Sequence, residues 1–462
     1  MTQRARKRQR RAQGSIRRKA FMAFGLLFAV VAIAAGGIGA WVMSVWADAP
    51  SIDQLKPIDE GATSVVFAAD GSRLGYIQSD TIRHPVTSKK IPKVLDQATV
   101  AIEDEHFYEH SGIDYGAIVR AAWADIQAGS AVQGGSTITQ QLVRNLYIAH
   151  PQDNITRKIE EAKLAQEYED QYSKQQILTK YLNTASYGTT DGRTAIGVEA
   201  AAETYFSKPA ERLTLAEAAL IAGLPQAPSQ YNPFLNPNGA LVRRNEVLQA
   251  MQKQGYISLG DSQQASQAGL GLHRGYRYET IREPYFFDYV TQQLIDRYGV
   301  NTVRRGGLKV YTTINPALQQ AAHNAILAHD YGGPSRALVS IDPSNGHIVA
   351  MASSSTYSQS NFNLAADAHR QPGSSFKPYV LTAAIRQGMD PDTTYYNGQS
   401  PVTIQLDKYS SWTVNNAEPG GGVMSVRDAT VNSVNAIFAQ LDVDVGPEYV
   451  RQTAYDLGIT TH

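Results

Sequence analysis

From residue 91 to about 260 the apolar positions recur at intervals of three and four, the period of helices with one buried face. Leu95, Ala98, Thr99 and Ile102 make the inner face of one such helix, with Glu103 standing at its end. Ile138, Leu142, Val143 and Leu146 make the face of another, after the turn Gln133-Gly134-Gly135-Ser136-Thr137. Adjacent glycines let the backbone turn tightly and come close to a ligand. Gln140, Gln141 and Arg144 fall elsewhere on that wheel, free to meet a polar, anionic ligand. Ser173 with Gln176, and Thr214 with Glu217, have the spacing of capping boxes. The second opens an Ala/Leu-rich helix that stops at Gly223 before Pro225.

On either side the period changes. Val65-Val66-Phe67 and Leu74-Gly75-Tyr76-Ile77 flank Asp70-Gly71 as a small hairpin. Residues 306–313 read as a strand, and 337–341 with 347–351 read as a second hairpin around Asp342-Pro343-Ser344-Asn345-Gly346. Near the N-terminus, residues 20–47 are apolar and uncharged, ending in Trp41 and Trp46. A bilayer crossing needs about 20 such residues, and tryptophan favours the interface.

Charge sharpens that reading. The formal net charge is zero, yet nine of the 42 Lys and Arg lie in residues 1–19 and the first acid is Asp48. A basic patch can mark a nucleic-acid binder; abutting an apolar run, it marks a membrane flank, and no nucleic-acid partner is expected. Basic residues stay on the cytoplasmic side, which places everything after Asp48 outside. A cleaved signal peptide would have an apolar core of only about 7–15 residues, so an uncleaved anchor is expected. Cysteine is absent, which removes disulfides and thiolate metal sites.

The remaining polar residues fall into ordered groups. Glu103-Asp104-Glu105-His106-Phe107-Tyr108-Glu109-His110-Ser111-Gly112 comes first, then Gly134-Gly135-Ser136-Thr137-Ile138-Thr139-Gln140-Gln141-Leu142. Arg157-Lys158-Ile159-Glu160-Glu161 follows, then Ile177-Leu178 with Tyr181-Leu182-Asn183. Acidic neighbours at Asp104 and Glu105 disfavour ionisation of Glu103, which suits a general base near neutral pH. Arg157, Lys158 and Glu161 share one helix face, and two cations there would stabilise charge developing on an anionic leaving group. Glu161 has three roles open to it: orienting those cations, binding a divalent ion, or acting on a proton.

In this order the groups resemble the family-51 peptidoglycan glycosyltransferases, the polymerase module of class A penicillin-binding proteins. That family's motifs run ED-x-x-F-x-x-H-x-G, GGSTITQQL and RK-x-x-E, and the resemblance spans roughly residues 85–260, extending more weakly to the C-terminus. It implies a lysozyme-like helical fold and polymerisation of lipid II onto a nascent glycan strand, with lipid pyrophosphate leaving. It makes Glu103 and Glu161 catalytic. Phe107, His110, Ser136, Thr137, Gln140, Arg144, Arg157, Lys158 and Asn183 would bind substrate. No cofactor is required; a divalent cation, Mg or Mn, is left open and no metal ligand is assigned. Some positions depart from the pattern: Arg144 replaces Lys, Tyr205-Phe206-Ser207-Lys208 replaces YFGK, and residues 183–188 read NTASYG. These are expected to tune the acceptor channel without abolishing activity.

Further on, Gln371-Pro372-Gly373-Ser374-Ser375-Phe376-Lys377-Pro378 and Ser433-Val434-Asn435 resemble the S-x-x-K and S-x-N motifs of penicillin-binding transpeptidases. Ser374 and Lys377, three apart at a helix start, project to one side. A neutral Lys377 would take the Ser374 proton and make it an acyl-accepting nucleophile. Ser433 would relay that proton and Asn435 would hold the peptide amide, while Ser375 has the wrong spacing. Stem peptides and beta-lactams are the implied ligands. The third motif, K-[ST]-G, is missing; Lys408, before Tyr409, is the only lysine after Lys377. The module is therefore expected to be incomplete in this chain.

The expected fold class is multidomain α+β: a transmembrane helix, a mainly α glycosyltransferase domain and an incomplete α/β serine transpeptidase domain. The expected divisions are a cytoplasmic tail at 1–19, the span at 20–47, a stalk at 48–90, the glycosyltransferase at 91–260, a linker at 261–335 and the transpeptidase at 336–462. The chain would sit in a bacterial cell membrane with its catalytic domains outside. Two rivals are a lytic muramidase and a non-catalytic scaffold for other cell-wall synthesis proteins. The paired cations and the anchor favour polymerisation over the first, and intact Glu103 and Glu161 favour an enzyme over the second.

Overall fold

The computed structural model describes residues 24, 26, 28–30, 32–58, 61–120, 135–148, 154–329, 332–418 and 421–460. The basic tail and Gln133-Gly134 of the glycine turn lie outside the described residues. The chain forms two compact units, one up to Ala366 and one from Asp367.

In the first unit the stretch Phe28–Gln54 is long and apolar enough to cross a membrane. The largest core lies beyond it. Helix Lys93–Glu103 contributes Leu95 and Ala98, helix Ile138–Tyr147 the predicted face from Ile138 to Leu146, and helix Ile155–Gln171 Leu164 and Ala165. Helices Lys174–Thr184, Leu215–Gly223 and Pro237–Lys253 close it with Leu178, Leu220 and Leu248. Both predicted capping boxes form, with Ser173 N and Thr214 N donating to Gln176 and Glu217 at 2.9 and 2.8 Å. A third, at Thr137 and Gln140, starts helix Ile138–Tyr147.

The helical run is interrupted by a hairpin that its period does not show. Ser186–Thr190 pairs antiparallel with Arg193–Ile196, and Thr81–Arg83 adds in parallel to the latter. Asp191 and Gly192, both at positive φ, make the turn, and an Asp-Gly pair between Tyr/Thr-rich flanks was the available signal.

The first predicted hairpin pairs Val65–Phe67 with Arg73–Tyr76, and Lys309–Tyr311 adds in parallel on its other side. The second pairs Ala337–Asp342 with His347–Ser353. This second hairpin, expected to begin the C-terminal module, packs against helices that precede it in the chain. Its apolar face needs cover, and it finds it: Met351 joins Phe286 and Phe287, while Ala350 and Ala352 meet Ala322 and Ile326. Residues 261–335, read as a linker, thus supply helices Pro284–Tyr298 and Pro316–Ala328 to a second core.

The second unit packs helices Lys377–Arg386, Asn435–Val445 and Pro447–Asp456 around Val380, Ala383, Ile437, Leu441 and Val450. Two small antiparallel pairs accompany them, Tyr395–Asn397 with Val423–Ser425 and Val402–Gln405 with Ser411–Val414.

Candidate active sites

Glu103 ends its helix facing Gln141, whose Nε2 donates to Glu103 Oε2 at 2.7 Å. Tyr181 donates in turn to Gln141 Oε1 at 3.0 Å, so a two-step relay fixes the carboxylate. The second oxygen, Oε1, is buried without a hydrogen bond and lies 3.9 Å from Arg243 Nη2. Burial pushes the Glu103 carboxyl above its usual range; the Gln141 bond and the Arg243 charge oppose the rise. Acidic neighbours, the cause inferred from sequence, are minor. Asp104 sits 3.0 Å from His110 Nε2 and accepts from Ile138 N at 3.0 Å, and Glu105 pairs with Arg120. Their charges are spent elsewhere.

Two clefts open in this part of the unit, and the carboxylate lines the smaller. The smaller, about 260 Å³, is lined by Glu103, Asp114, Arg120, Ser136 and Lys253. The larger, about 690 Å³, has Lys158, Glu161, Ser136 and Gln140 among its polar lining and Val42, Met43, Trp46 and Ile159 among its apolar lining. Both include Gly135 and Ser136, so they meet at the glycine turn. Glu161 is 1% exposed and has Arg157 Nε 3.3 Å from its Oε1, the partner a buried carboxylate needs. Lys158, one residue on, is exposed. Arg144 is half-buried and makes no ion pair among the described residues. Among the described residues no group of three or more His, Asp and Glu could hold a metal ion.

Other residues read as substrate-binding serve the fold. Phe107 is 0% exposed, beneath the Lys174 ammonium 4.5 Å from its ring centre. His110 is tied to Asp104. Thr137 donates to Gly112 O at 2.7 Å and shares its remaining bonds with Gln140 in the capping box, which leaves Gln140 less free than its wheel position implies. Asn183 gives its side chain to the backbone of Val86 and Thr179. Gly112 has its own reason: at φ +84° a Cβ there would lie 2.7 Å from the Ala165 backbone. Sequence reasoning missed Gln141 as the holder of Glu103, and it missed Arg243, which lies 140 residues away with no local signal.

In the second unit Lys377 Nζ is the hub. It donates toward Ser374 Oγ (3.2 Å), Ser433 Oγ (2.9 Å), Ser433 O (2.5 Å) and Asn435 Oδ1 (2.7 Å). All four predicted residues therefore meet. Burial holds the Lys377 ammonium below the usual lysine range, the direction a base requires. Ser433 occupies the left-handed region at φ 53°, a strained position that aims its carbonyl at Lys377. Ser375 turns away and donates to Pro372 O at 2.6 Å.

Comparison with known proteins places these sites in context. Residues 70–252 match the family model described as Transglycosylase, and residues 337–461 match the Penicillin binding protein transpeptidase domain. Penicillin-binding protein 2D of Bacillus subtilis is 34% identical over 96% of this chain and 64% of its own length. Penicillin-binding protein 1A of Aquifex aeolicus is 32% identical over 95% of this chain and 71% of its own length. The chain belongs to the class A penicillin-binding proteins. The chain spans 57–71% of the first three curated relatives it matches. A crystal structure of penicillin-binding protein 1A from Haemophilus influenzae shares the fold, with TM-score 0.52 at 22% identity, covering 88% of this chain and 64% of that one.

As a class A penicillin-binding protein the chain carries a glycosyltransferase domain followed by a transpeptidase domain. One departure from the family pattern acquires a physical meaning here. Ser207 caps helix Val198–Phe206 at φ 54°, ψ 36°, a conformation that glycine adopts without strain. The serine in place of the pattern's glycine thus carries backbone strain.

Proposed function

We propose that this class A penicillin-binding protein polymerises glycan strands from lipid II, with Glu103 as general base. Glu103 takes the proton of the acceptor hydroxyl, whose oxygen attacks the donor's anomeric carbon. The bond to the lipid pyrophosphate breaks, and the departing negative charge falls to Lys158 and Arg157, with Glu161 orienting them. Ser136, Gln140 and Arg144 would contact the substrate. The observation that carries this reading is the junction of the two clefts at Gly135 and Ser136, with the Glu103 carboxylate of raised pKa on one side and the Lys158 cation on the other.

In the same reading residues 20–47 anchor the chain in a bacterial cell membrane, the 1–19 tail is cytoplasmic and both catalytic modules are outside. Residues 48–90 are the stalk, 91–260 the glycosyltransferase domain, 261–335 the connecting segment and 336–462 the transpeptidase module. Ser374 is the nucleophile that would accept the acyl group of a stem peptide or a beta-lactam in a complete module, and Lys377 is its base. Glu103→Gln keeps the shape and removes the base, and loss of general-base catalysis lowers rate by about 10²–10⁴. Lipid II polymerisation should collapse while the melting temperature holds. Near wild-type polymerisation by that variant, or hydrolysis of finished glycan instead of lipid-linked precursor, would overturn the reading.

A further inference from the structure

Three residues spaced by four on helix Ile155–Gln171 grip the chain where it leaves the apolar helix. Lys163 Nζ donates to Ala49 O at 2.6 Å. Glu167 Oε2 accepts from Ile52 N at 2.7 Å and from Ser51 Oγ at 3.2 Å. Gln171 Nε2 donates to Asp53 Oδ1 at 3.1 Å. Positions four apart lie on one helix face, so the three form a continuous stripe.

The charges of the stripe match what they meet. A helix leaves bare carbonyls at its C-terminus and bare N–H groups at its N-terminus. The cation stands on a carbonyl at the end of the apolar helix, and the anion stands on the first N–H of the short helix Ile52–Gln54. Ala49 and Ile52 are buried.

Upstream on the same gripping helix, Lys158 and Glu161 face the larger cleft, and the apolar helix lines that cleft with Val42, Met43 and Trp46. Cationic and polar groups at one part of a cleft and hydrocarbon at another fit an amphiphile with an anionic head and an apolar chain. Lys163, Glu167 and Gln171 are not part of that lining. We propose that they are positioning residues, holding the apolar helix as a wall of the cleft so that it seats the hydrocarbon chain of the glycosyl donor. The identity of the donor as a lipid-linked pyrophosphate rests on the polymerase reading above.

The test uses the full chain in lipid vesicles, comparing wild type with Lys163→Met/Glu167→Gln. Two donors are supplied, one with a long polyprenyl chain and one with a short, water-soluble chain. Loss of binding shared by ground and transition states raises KM and spares kcat, so KM for the long-chain donor should rise about tenfold with kcat within about twofold. The short-chain donor should be unaffected. The chain has no native cysteine, so Met43→Cys with Ala162→Cys reports the wall directly through a short bismaleimide. Cross-linking should be efficient with the stripe intact and fall at least severalfold in the double variant. Unchanged cross-linking would overturn the clamp. Reduced cross-linking with equal KM changes for both donors, or with none, would overturn its role in seating the chain. An active Glu103→Gln variant would sink the polymerase reading while leaving the cross-linking result standing, so the two failures are distinguishable.

Discussion

Arg243 offers a prediction that separates charge from packing at the proposed base. Its guanidinium is nearly buried, donates from Nε to Gly223 O at 3.1 Å and from Nη1 to Glu246 at 2.9 Å, and stacks 5.7 Å from the Tyr231 ring centre. Gly223 makes room for it, since a Cβ there would lie 2.8 Å from Arg243 Cγ. Nη2 ends 3.9 Å from the unbonded oxygen of Glu103. At an effective dielectric of about 20, unit charges this far apart attract by about 4 kcal/mol. If two thirds of that were lost to screening, the remainder would still shift the ionisation equilibrium about tenfold. The other groups facing Glu103 are Gln141 and Arg144, Tyr181 and Tyr187, and its neighbour Asp104. Burial already raises the Glu103 pKa and Arg243 pulls it down, so removing Arg243 must raise it further. The base has to be ionised, so the acidic limb of the kcat/KM profile should move to higher pH in Arg243→Met. Activity should fall about tenfold on the acidic limb of the profile and recover fully as pH rises above it, whereas Arg243→Lys, which keeps the charge, should shift the limb less. An equal loss at every pH would refute the electrostatic reasoning and leave Arg243 a packing residue.

Three further predictions concern other parts of the chain. Asp96 sits in the first turn of helix Lys93–Glu103 with Oδ1 buried and unbonded, and burial pushes its carboxyl up to about 6. The folded state therefore binds the extra proton, and stability falls as pH rises from about 4 to about 6. Asp96→Asn should stabilise by about 1–2 kcal/mol at pH 7.5, allowing for partial solvent screening, and by nothing at pH 4; denaturant melts at both values check this. Ser207→Gly should relieve the left-handed strain by about 1 kcal/mol and raise the melting temperature with polymerisation unchanged; an unchanged or lower melting temperature would count against it. Any covalent labelling by a fluorescent penicillin should be lost in Ser374→Ala and kept in Ser375→Ala, because the Ser375 hydroxyl is committed to Pro372. The opposite pattern in gel fluorescence would exchange their roles.

Local chemistry was legible in the chain. The 3.6-residue period located the buried face of helix Ile138–Tyr147, the capping boxes at Ser173 and Thr214 formed as spaced, and both predicted hairpins paired. Ser374 and Lys377, three residues apart at a helix start, needed only helical geometry to meet. These features depend on residues a few positions apart, and short-range sterics and hydrogen bonding decide them.

What the sequence left open depended on partners far along the chain. Strand Lys309–Tyr311 pairs with Val65–Phe67, and the hairpin at 337–353 is covered by helices that precede it. The environment of Glu103 was the sharpest case. Its acidic neighbours in sequence turn to His110, Ile138 and Arg120, while burial, Gln141 and Arg243 set its proton affinity. Phe107 and Asn183 show the same limit from the other side, since a motif position reveals a residue's type but not whether it faces a cleft or the core. Desolvation and charge act through space, so only the folded chain assigns them.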